Sequence, residues 1–298
     1  MDYSKHAEID LHIHTTASDG TLTPAEVVSQ ALELKLKAIA ITDHDTLAGS
    51  KEALQAGIPP SLDFITGVEI SAAPPSFYAG AGSFHILGYS IRLDDPALNQ
   101  ALEKLQLARK NRNPAIISRL NDIGLAITLD EVRREAGDGQ LGRPHIAKVL
   151  VKKGFVESMN EAFDRYLGTN GPAYVDKFRI ECREAIKLIL NAGGIPALAH
   201  PGLLECKTRG QYDELLTGLK EMGLLAVEVY YSEHTPEQTR LFTELARRHE
   251  LKQTGGTDFH GSIHPEITIG SGRGNLFVSY DLYEELIRPA KQHIQDTN

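Results

Sequence analysis

Short apolar runs that alternate with amphipathic segments constrain the fold of this chain more than any other feature. Thr23-Pro24-Ala25-Glu26 and Thr235-Pro236-Glu237-Gln238 have the form of capping boxes with proline at the first helical position. The apolar runs, which we predict as strands, are Ile9–Ile13, Ala38–Thr42, Phe64–Val68, Phe84–Tyr89, Ile195–Ala199, Leu224–Val229, Gln253–Gly256 and Asn275–Val278. Alternating strands and helices favour parallel βα units, and hence an α/β barrel or a doubly wound sheet. No glycine-rich dinucleotide fingerprint follows the first strand, which weakens the doubly wound alternative.

The alternation stops between residues 96 and 172. This stretch is predicted as four helices: Ala97–Leu120, Leu129–Ala136, Pro144–Lys153 and Ser158–Leu167. Thr128 and Glu131 form a further capping box before the second of them. Because the βα alternation returns afterwards, we predict a discontinuous barrel domain, residues 8–95 and 173–290. Residues 96–172 would form a helical insertion that covers the active site.

The composition is that of a globular protein, with 41% hydrophobic and 24% charged residues. No apolar run approaches the roughly 20 residues that cross a bilayer. The polar segment Met1–Glu8 lacks the apolar stretch of a secretory signal. The two cysteines, Cys182 and Cys206, match no disulfide framework and no redox or metal motif. We therefore expect a cytoplasmic protein.

The net charge of −9 argues against a protein that coats duplex nucleic acid with its bulk surface. Three bound divalent cations would nevertheless bring about six positive charges into one cleft and dominate the local field. An acidic chain with such a cleft can hold a phosphate ester. We expect a small phosphorylated partner, with no membrane and no bulk duplex binding.

Histidines and carboxylates gather in and just after the predicted strands. They are His12, His14, Asp19, His44, Glu69, His85, His200, Asp258 and His260. In a parallel barrel the carboxyl ends of all strands meet at one face, where active sites are built. His12 and His14 are alternate residues of a strand and point to the same side, as do Asp258 and His260. Taken singly each could be a core or surface residue, but burying the whole set without a cation would leave many polar atoms unpaired.

These nine candidates predict a centre of two or three divalent metal ions. All of them offer nitrogen or oxygen atoms and none is a thiolate, which disfavours a structural cysteine–zinc site and suits Zn²⁺, Mn²⁺ or Fe²⁺. Ligand type alone does not choose among these metals, because affinities follow a common order. Nine ligands are too many for one ion, and a carboxylate such as Glu69 can bridge a pair.

The chain resembles the polymerase and histidinol phosphatase (PHP) family. The motifs that carry the resemblance are His12-Ile13-His14, Ser18-Asp19-Gly20, Thr42-Asp43-His44-Asp45, Gly67-Val68-Glu69, His85, Ala199-His200-Pro201 and Asp258-Phe259-His260. They span nearly the whole chain in order. The resemblance implies a metal-dependent phosphoesterase built on a distorted seven-stranded (β/α) barrel with a trinuclear site.

Position by position, the resemblance also implies how the ligands divide. The first metal would take His12, His14, Glu69 and Asp258; the second Glu69, His85 and His200; the third Asp19, His44 and His260. Some family members have a histidine where this chain has Asp19, so the third site is expected to differ in affinity or metal preference.

The helical insertion resembles one branch of the family, which includes 3′,5′-nucleoside bisphosphate phosphatases and 5′→3′ exoribonucleases that act on short RNA. In that branch an Arg-x-His element reaches over the site, and here it reads Arg143-Pro144-His145. The resemblance implies that Arg143 contacts the phosphate and that His145 binds substrate. Lys177 is a further candidate for substrate binding. His234 is a candidate contact to substrate or to a metal ligand, and either His234 or a metal-bound water could donate the proton to the leaving group. For Lys177 and His234 a solvent-facing role is the alternative.

The sequence departs from that branch at Leu203, where bisphosphate members carry an arginine after His-Pro-Gly. Lys207 or Arg209 could replace it. The substrate is therefore open among a nucleoside 3′,5′-bisphosphate, short 5′-phosphorylated RNA and a small ester such as histidinol phosphate. Two other functions stay open: hydrolysis of an amide or ester on a similar barrel, and a metal-binding or regulatory module without turnover.

Overall fold

A nearly closed barrel forms the centre of the computed structural model, which describes residues 8–78, 80, 83–136 and 142–288. Its strands are β1 (Ile9–Ile13), β2 (Ala38–Ile41), β3 (Asp63–Ala73), β4 (His85–Tyr89), β5 (Ile180–Glu181), β6 (Ile195–Leu198), β7 (Ala226–Tyr231) and β8 (Lys252–Gly256). Seven strands follow the order β1-β2-β3-β4-β6-β7-β8, and β5 pairs with the end of β3. The Asp258 N–H donates to the His12 carbonyl at 2.9 Å, which joins the two ends of the sheet. The predicted α/β barrel is confirmed.

One strand runs against the prediction of parallel pairing. β4 is antiparallel to both of its neighbours, β3 and β6, whereas the other barrel pairs are parallel. The short connection between β3 and β4 has no room for the crossover helix that a parallel pair requires. The reversal matters for the site, because the first residue of β4 lies at the face where the parallel strands end.

Helices pack around the sheet and continue into the 96–172 stretch. They are α1 (Pro24–Glu33), α2 (Ala48–Ala56), α3 (Pro96–Asp122), α4 (Leu129–Ala136), α5 (Arg143–Lys152), α6 (Met159–Ala162), α7 (Cys182–Asn191), α8 (Arg209–Glu221), α9 (Pro236–Arg248) and α10 (Tyr280–Ile287). A π-helical turn, Phe163–Leu167, follows α6. The capping boxes predicted at Thr23 and Thr235 are present at the starts of α1 and α9.

The long helix α3 connects two hydrophobic clusters. Leu98 and Leu105 in its first half belong to a cluster that also contains strand residues and helices α7, α8 and α9. Ile116 and Leu120 in its second half belong to another cluster, built with α4, α5 and α6. Pro114 lies between the two halves. The helix therefore ties the barrel to the helices that follow.

The end of the barrel opposite the predicted ligands is covered by the C-terminal helix. Val278 and Leu286 pack against Ile9 and Leu11 of β1. The Tyr280 hydroxyl donates to Asp63 at the start of β3. These contacts leave the face at the carboxyl ends of the strands open for a site.

One predicted strand is absent, and one short strand was not predicted. Residues 275–278 form no strand but a turn and an extended segment before α10, after a run of glycines with positive φ at Gly270, Gly272 and Gly274. The two-residue strand β5 was missed because it is too short to show a periodic pattern. Within the part of the chain that the structure describes, no helix is long and apolar enough to cross a membrane. The predictions about residues 1–7, 137–141 and 289–290 lie outside the described residues.

Candidate metal centre

All nine predicted ligands meet at the face formed by the carboxyl ends of the parallel strands. His12 lies in β1 and His14 directly after it, His44 follows β2, Glu69 lies within β3, and His200 follows β6. Asp258 and His260 follow β8, and Asp19 lies in the loop after β1. His85 joins them from the first position of β4, because that strand is reversed. Residues separated by up to 248 positions thus form one cluster.

The deepest group consists of His12, His14, Glu69 and Asp258, whose candidate ligand atoms lie within 4.8 Å of one another. His14 Nε2 is 3.0 Å from Asp258 Oδ1 and 3.2 Å from Glu69 Oε2. His12 Nε2 is 3.3 Å from the same Asp258 oxygen. Two rings and two carboxylates therefore direct donor atoms at a common point, as a cation site requires.

A second group lies mainly around the other oxygen of the Glu69 carboxylate, Oε1. His85 Nδ1 lies 2.8 Å and His200 Nε2 2.9 Å from Glu69 Oε1. His44 Nδ1 lies 2.9 Å from Glu69 Oε2, so His44 also belongs to this group. Glu69 is buried and stands between the first and second groups. It has the position of a bridging carboxylate.

The third group lies nearest to solvent and contains His14, Asp19, His44 and His260. Asp19 Oδ1 is 3.5 Å from His260 Nε2 and 3.6 Å from His14 Nδ1. His14 and His44 are thus shared with the deeper groups. The three groups are contiguous rather than separate.

The unmet hydrogen-bonding capacity of this cluster fits bound cations. Several buried atoms have no hydrogen-bond partner among the described residues. They are Glu69 Oε2, Asp258 Oδ1 and ring nitrogens of His12, His14, His44, His85 and His200. Buried polar atoms are otherwise almost always paired, and leaving each unpaired costs about 1–3 kcal/mol. Lone pairs that face one another across about 3 Å are the arrangement that a cation between them stabilises. The donor set suits divalent metals.

The pKa shifts within the cluster also indicate a site that binds positive charge. Burial alone would lower the pKa of His14, but the carboxylates of Asp258 and Glu69 outweigh it and raise the pKa to about 10. Burial works to raise the pKa of Glu69, but the neighbouring His85 and His44 hold it well below its usual range. Burial prevails at His85 and lowers its pKa to about 4. The ionised carboxylates therefore attract positive charge to the cluster, whether protons or metal ions.

A buried carboxylate that the sequence analysis missed supports two of the ligands. Glu228 of β7 is fully buried, and its Oε1 lies 2.9 Å from Nδ1 of His12. Its Oε2 accepts the backbone N–H of His200 at 2.7 Å. Tyr231 of the same strand donates its hydroxyl to Asp258 Oδ2 at 3.1 Å. An acidic residue between apolar ones in Ala226-Val227-Glu228-Val229 was the available signal.

Further buried carboxylates shape the loops that carry the ligands. Asp43 accepts the Thr15 N–H at 2.7 Å, and Asp45 accepts the Ser71 N–H at 2.7 Å. Asp10 accepts the Thr257 N–H at 2.9 Å, just before Asp258. Each carboxylate fixes the backbone next to a candidate ligand, which is how outer groups orient a metal site.

Basic side chains border the mouth of the cluster. Arg109, Arg112 and Lys177 line a cavity of about 260 Å³ together with Asp19, His44 and His85. Arg109 donates to Asp45 Oδ2 at 3.2 Å. Burial lowers the pKa of Lys177, with Arg109 as the next contribution. Arg109 and Arg112 lie on α3 in no recognisable motif, so the sequence analysis did not select them.

Two other predicted substrate contacts, Arg143 and His145, lie in the first turn of α5. Arg143 and His145, both within the described chain, do not line that cavity. The Arg143 guanidinium lies 5.6 Å from the ring centre of Tyr174 and donates to the Leu167 carbonyl at 3.0 Å. His145 Nδ1 accepts the Gly142 N–H at 3.1 Å. Both side chains stabilise the start of α5.

His234, predicted as a proton donor, has both ring nitrogens engaged by the backbone. Its Nε2 accepts the Gly202 N–H at 3.0 Å, and its Nδ1 lies 2.9 Å from the Val229 carbonyl oxygen. Burial lowers the pKa of His234. Both ring nitrogens of His234 therefore face backbone groups of neighbouring segments.

A second cavity of about 320 Å³ adjoins the first and shares His44, Arg109 and Asn113 with it. It also contains Lys110 of α3 and Arg133 of α4. No carboxylate is among its described lining residues. In a chain of net charge −9 this is a local concentration of positive charge beside the cluster.

The barrel and its clustered histidines and carboxylates define a metal-dependent hydrolytic centre. The chain belongs to the PHP domain family, which matches residues 10–296. The predicted family is confirmed.

Curated relatives cover most of the chain. A 3′,5′-nucleoside bisphosphate phosphatase of Chromobacterium violaceum is 32% identical over 255 residues, 85% of this chain and 87% of the relative. The 5′-3′ exoribonuclease Rnm of Escherichia coli is 34% identical over 255 residues, 84% of each chain. A phosphoribosyl 1,2-cyclic phosphate 1,2-diphosphodiesterase of Eggerthella lenta is 33% identical over 258 residues, 85% of this chain and 94% of the relative.

Two solved structures share the fold. A protein of Bifidobacterium adolescentis, provisionally described as a metal-dependent phosphoesterase, superposes with a TM-score of 0.72 at 31% identity, covering 95% of this chain and 96% of its own. An amidohydrolase from Chromobacterium violaceum, solved with bound sulfate and no metal, gives a TM-score of 0.70 at 30% identity, covering 96% and 99%. The relatives and the first structure confirm the predicted class, a metal-dependent phosphoesterase.

Proposed function

We propose that this chain hydrolyses a phosphate ester at a centre of two or three divalent cations, Mn²⁺, Zn²⁺ or Fe²⁺. The observation that carries the proposal is the convergence of nine nitrogen- and oxygen-bearing side chains, with Glu69 among them. Divalent cations held there would neutralise the phosphoryl oxygens and acidify a water for attack on phosphorus.

The ligand assignment follows the three contiguous groups. His12, His14, Glu69 and Asp258 would hold the first cation; Glu69, His85 and His200 the second; Asp19, His44 and His260 the third. The position of His44, 2.9 Å from Glu69 Oε2, lets it also reach the second cation. Glu228 would keep His12 in the tautomer whose Nε2 faces the cation, since its carboxylate accepts from Nδ1.

The side chains that would bind the scissile phosphate are Arg109 and Lys177, with Arg112 nearby. They line the cavity that opens onto His44 and His85. A cationic group beside the metals can hold a phosphoryl oxygen that the metals leave exposed. For Arg143 we propose a supporting role, because its guanidinium is engaged by Tyr174 and Leu167. The same holds for His145 at the start of α5.

For the substrate we propose a nucleotide with a second phosphate, such as a nucleoside 3′,5′-bisphosphate, or the 5′-phosphorylated end of a short RNA. The adjoining cavity with Arg109, Lys110 and Arg133 offers space and positive charge for a group beyond the scissile phosphate. The names of the Chromobacterium and Escherichia relatives support this class. A small ester without a second anion would leave that cavity unused.

Amide hydrolysis is the second candidate, because one similar structure is described as an amidohydrolase. The basic cavity residues favour a phosphate ester over a neutral amide, because a positively charged cavity attracts an anionic substrate. A metal-binding module without turnover is the remaining alternative.

We also propose that residues 96–172 act as a helical insertion over the site and that residues 8–95 and 173–290 form the barrel domain. Arg109 and Arg112 of α3 and Gly142 before α5 line the cavity at the metal centre, which supports the covering role. The cytoplasmic compartment remains a proposal from composition.

The test is a substrate panel with metal analysis of the same sample. Adenosine 3′,5′-bisphosphate, short 5′-phosphorylated RNA, histidinol phosphate and an acyl amide would each be assayed with Mn²⁺ before and after chelation. We expect phosphate release that chelation abolishes and metal restores. Tight metal binding without turnover of any ester would instead support the binding module.

Two variants connect the activity to the ligands. His14→Gln and Asp258→Asn change the donor atoms with little change in volume, and we expect both to lose bound metal and turnover while circular dichroism stays unchanged. His249→Gln is the matched control, because His249 pairs with Asp213 at the end of α9 and away from the cluster. Full turnover in His14→Gln would contradict the ligand assignment.

A further inference from the structure

His234 lies in the turn between β7 and α9 and contacts the loop that carries His200. It is 7% exposed, and its ring packs against Tyr231 and Phe242 at centroid distances of 5.1 and 4.9 Å. Tyr231 in turn packs against the His200 ring at 5.5 Å. His234 is therefore one aromatic ring removed from a candidate metal ligand.

The hydrogen bonds of His234 fix its proton. Nε2 faces a backbone N–H, that of Gly202, and can only accept. Nδ1 faces a carbonyl oxygen, that of Val229, and can only donate. The ring is thus neutral with its proton on Nδ1. That proton is held by the Val229 carbonyl oxygen of β7, so it is not available to a leaving group.

The loop that His234 contacts has an unfavourable backbone conformation. His200 has φ 26° and ψ 59°, a left-handed conformation that is unfavourable for a non-glycine residue. Such a conformation persists only when its surroundings hold it. The Glu228 carboxylate holds the His200 N–H from one side.

Gly202 supplies the other point of support. A Cβ on Gly202 would lie 2.5 Å from the His234 ring, so the backbone and the ring are in direct contact. Gln238 Nε2 donates to the Gly202 carbonyl at 3.4 Å and closes the contact on the same side. His234 is therefore the side chain that accepts a hydrogen bond from the backbone N–H of Gly202.

We propose that His234 is a positioning residue that holds the 200–203 turn and thereby sets the His200 ring against Glu69. The proposal rests on the proposed function in one respect, that His200 is a metal ligand. His234 then acts on metal binding and does not transfer a proton. Its loss would leave the partly buried Gly202 N–H without its side-chain acceptor and release the strained turn.

The experiment compares His234→Gln with His234→Phe. Glutamine can present a carbonyl oxygen to the Gly202 N–H but has no titratable ring. Phenylalanine keeps the ring packing against Tyr231 and Phe242 but has no acceptor. Each variant would be measured for metal content and metal affinity by titration calorimetry, and for turnover of p-nitrophenyl phosphate and adenosine 3′,5′-bisphosphate.

We expect His234→Phe to bind one of its metals about 10–100-fold more weakly, as loss of an outer support does in other metal sites. Its turnover should fall by a similar factor on both substrates, because a misplaced metal affects good and poor leaving groups alike. His234→Gln should recover most of the metal affinity. Near-UV circular dichroism of both variants shows whether the fold is retained.

Two outcomes would overturn the proposal. If both variants bind metal like the wild type and lose turnover only on the poor leaving group, His234 is a proton donor. If His234→Phe matches the wild type in every measurement, the turn does not depend on it. Because metal affinity is measured without substrate, the test remains decisive even if no ester is turned over and the proposed function fails.

Discussion

The carboxylate of Glu228 lies 2.9 Å from Nδ1 of His12, and neither side chain is exposed to solvent. The other oxygen of Glu228 accepts the His200 N–H. One residue of β7 thus supports a ligand of the first proposed cation and a ligand of the second. It couples the two deepest groups through a single side chain.

Glu228→Gln is expected to weaken metal binding by about 10–100-fold. An amide has one acceptor and one donor, so it cannot accept from both the His12 ring and the His200 N–H. Competition with a chromophoric chelator measures the affinity. Glu244→Gln, which removes an exposed carboxylate paired with Arg209, is the control. Equal affinity in Glu228→Gln and wild type would show that the carboxylate does not orient His12.

Removing the metal is expected to lower the melting temperature. Cations that bind only the folded chain stabilise it by mass action, and one ion at 100 times its Kd contributes about 2.7 kcal/mol. Without the cation, buried carboxylates and ring nitrogens lose their partner. Scanning calorimetry before and after chelation measures the shift, and added Mn²⁺ should reverse it. Identical melting curves would argue against a bound cation.

Lys177→Gln is expected to lower kcat/KM for the phosphate ester by about 10–100-fold. The reason is the loss of a hydrogen bond to the charged phosphate, and such a bond contributes about 1.5–3 kcal/mol. Metal content should stay unchanged, because Lys177 lines the cavity and is not a candidate ligand. Steady-state kinetics and metal analysis of one preparation measure both quantities. Lys187→Gln, on α7, is the control. Unchanged kinetics in Lys177→Gln would remove Lys177 from the substrate site.

The variant Arg143→Lys distinguishes a structural role of Arg143 from direct contact with the substrate phosphate. Lysine keeps the charge but loses the planar group that packs on Tyr174 and donates to Leu167. We expect the free energy of unfolding to fall by about 1–2 kcal/mol, from the lost cation–π contact and hydrogen bond. The KM for the ester should not change. Urea denaturation and kinetics together decide, and a raised KM at unchanged stability would return Arg143 to the substrate site.

The sequence predicted that these nine side chains lie together, because most of them lie in a strand or just after one, and the barrel brings the strand ends together whatever the loops do. It could not predict that β4 runs antiparallel, because a five-residue apolar strand has the same pattern in both directions. His85 was still placed correctly, since the reversal puts the start of β4 at the same face. The insertion helices were predicted from their caps and periodicity.

Residues whose role depends on a partner in space were harder to predict. Glu228 looks like an ordinary strand residue until His12 and His200 are placed on either side of it. Arg109 is one of several basic residues on a long polar helix, and only the packing of α3 brings it to the cluster. For His234 no sequence pattern indicates its partners, and two backbone hydrogen bonds decide what its ring can do.

The most direct test of the proposed metal centre is an experimental crystal structure of the Mn²⁺-loaded protein with anomalous scattering data. We expect manganese peaks between Glu69 and its two flanking histidine groups, and beside Asp19. A map without anomalous density among His12, Glu69, His200 and Asp258 would contradict this proposal.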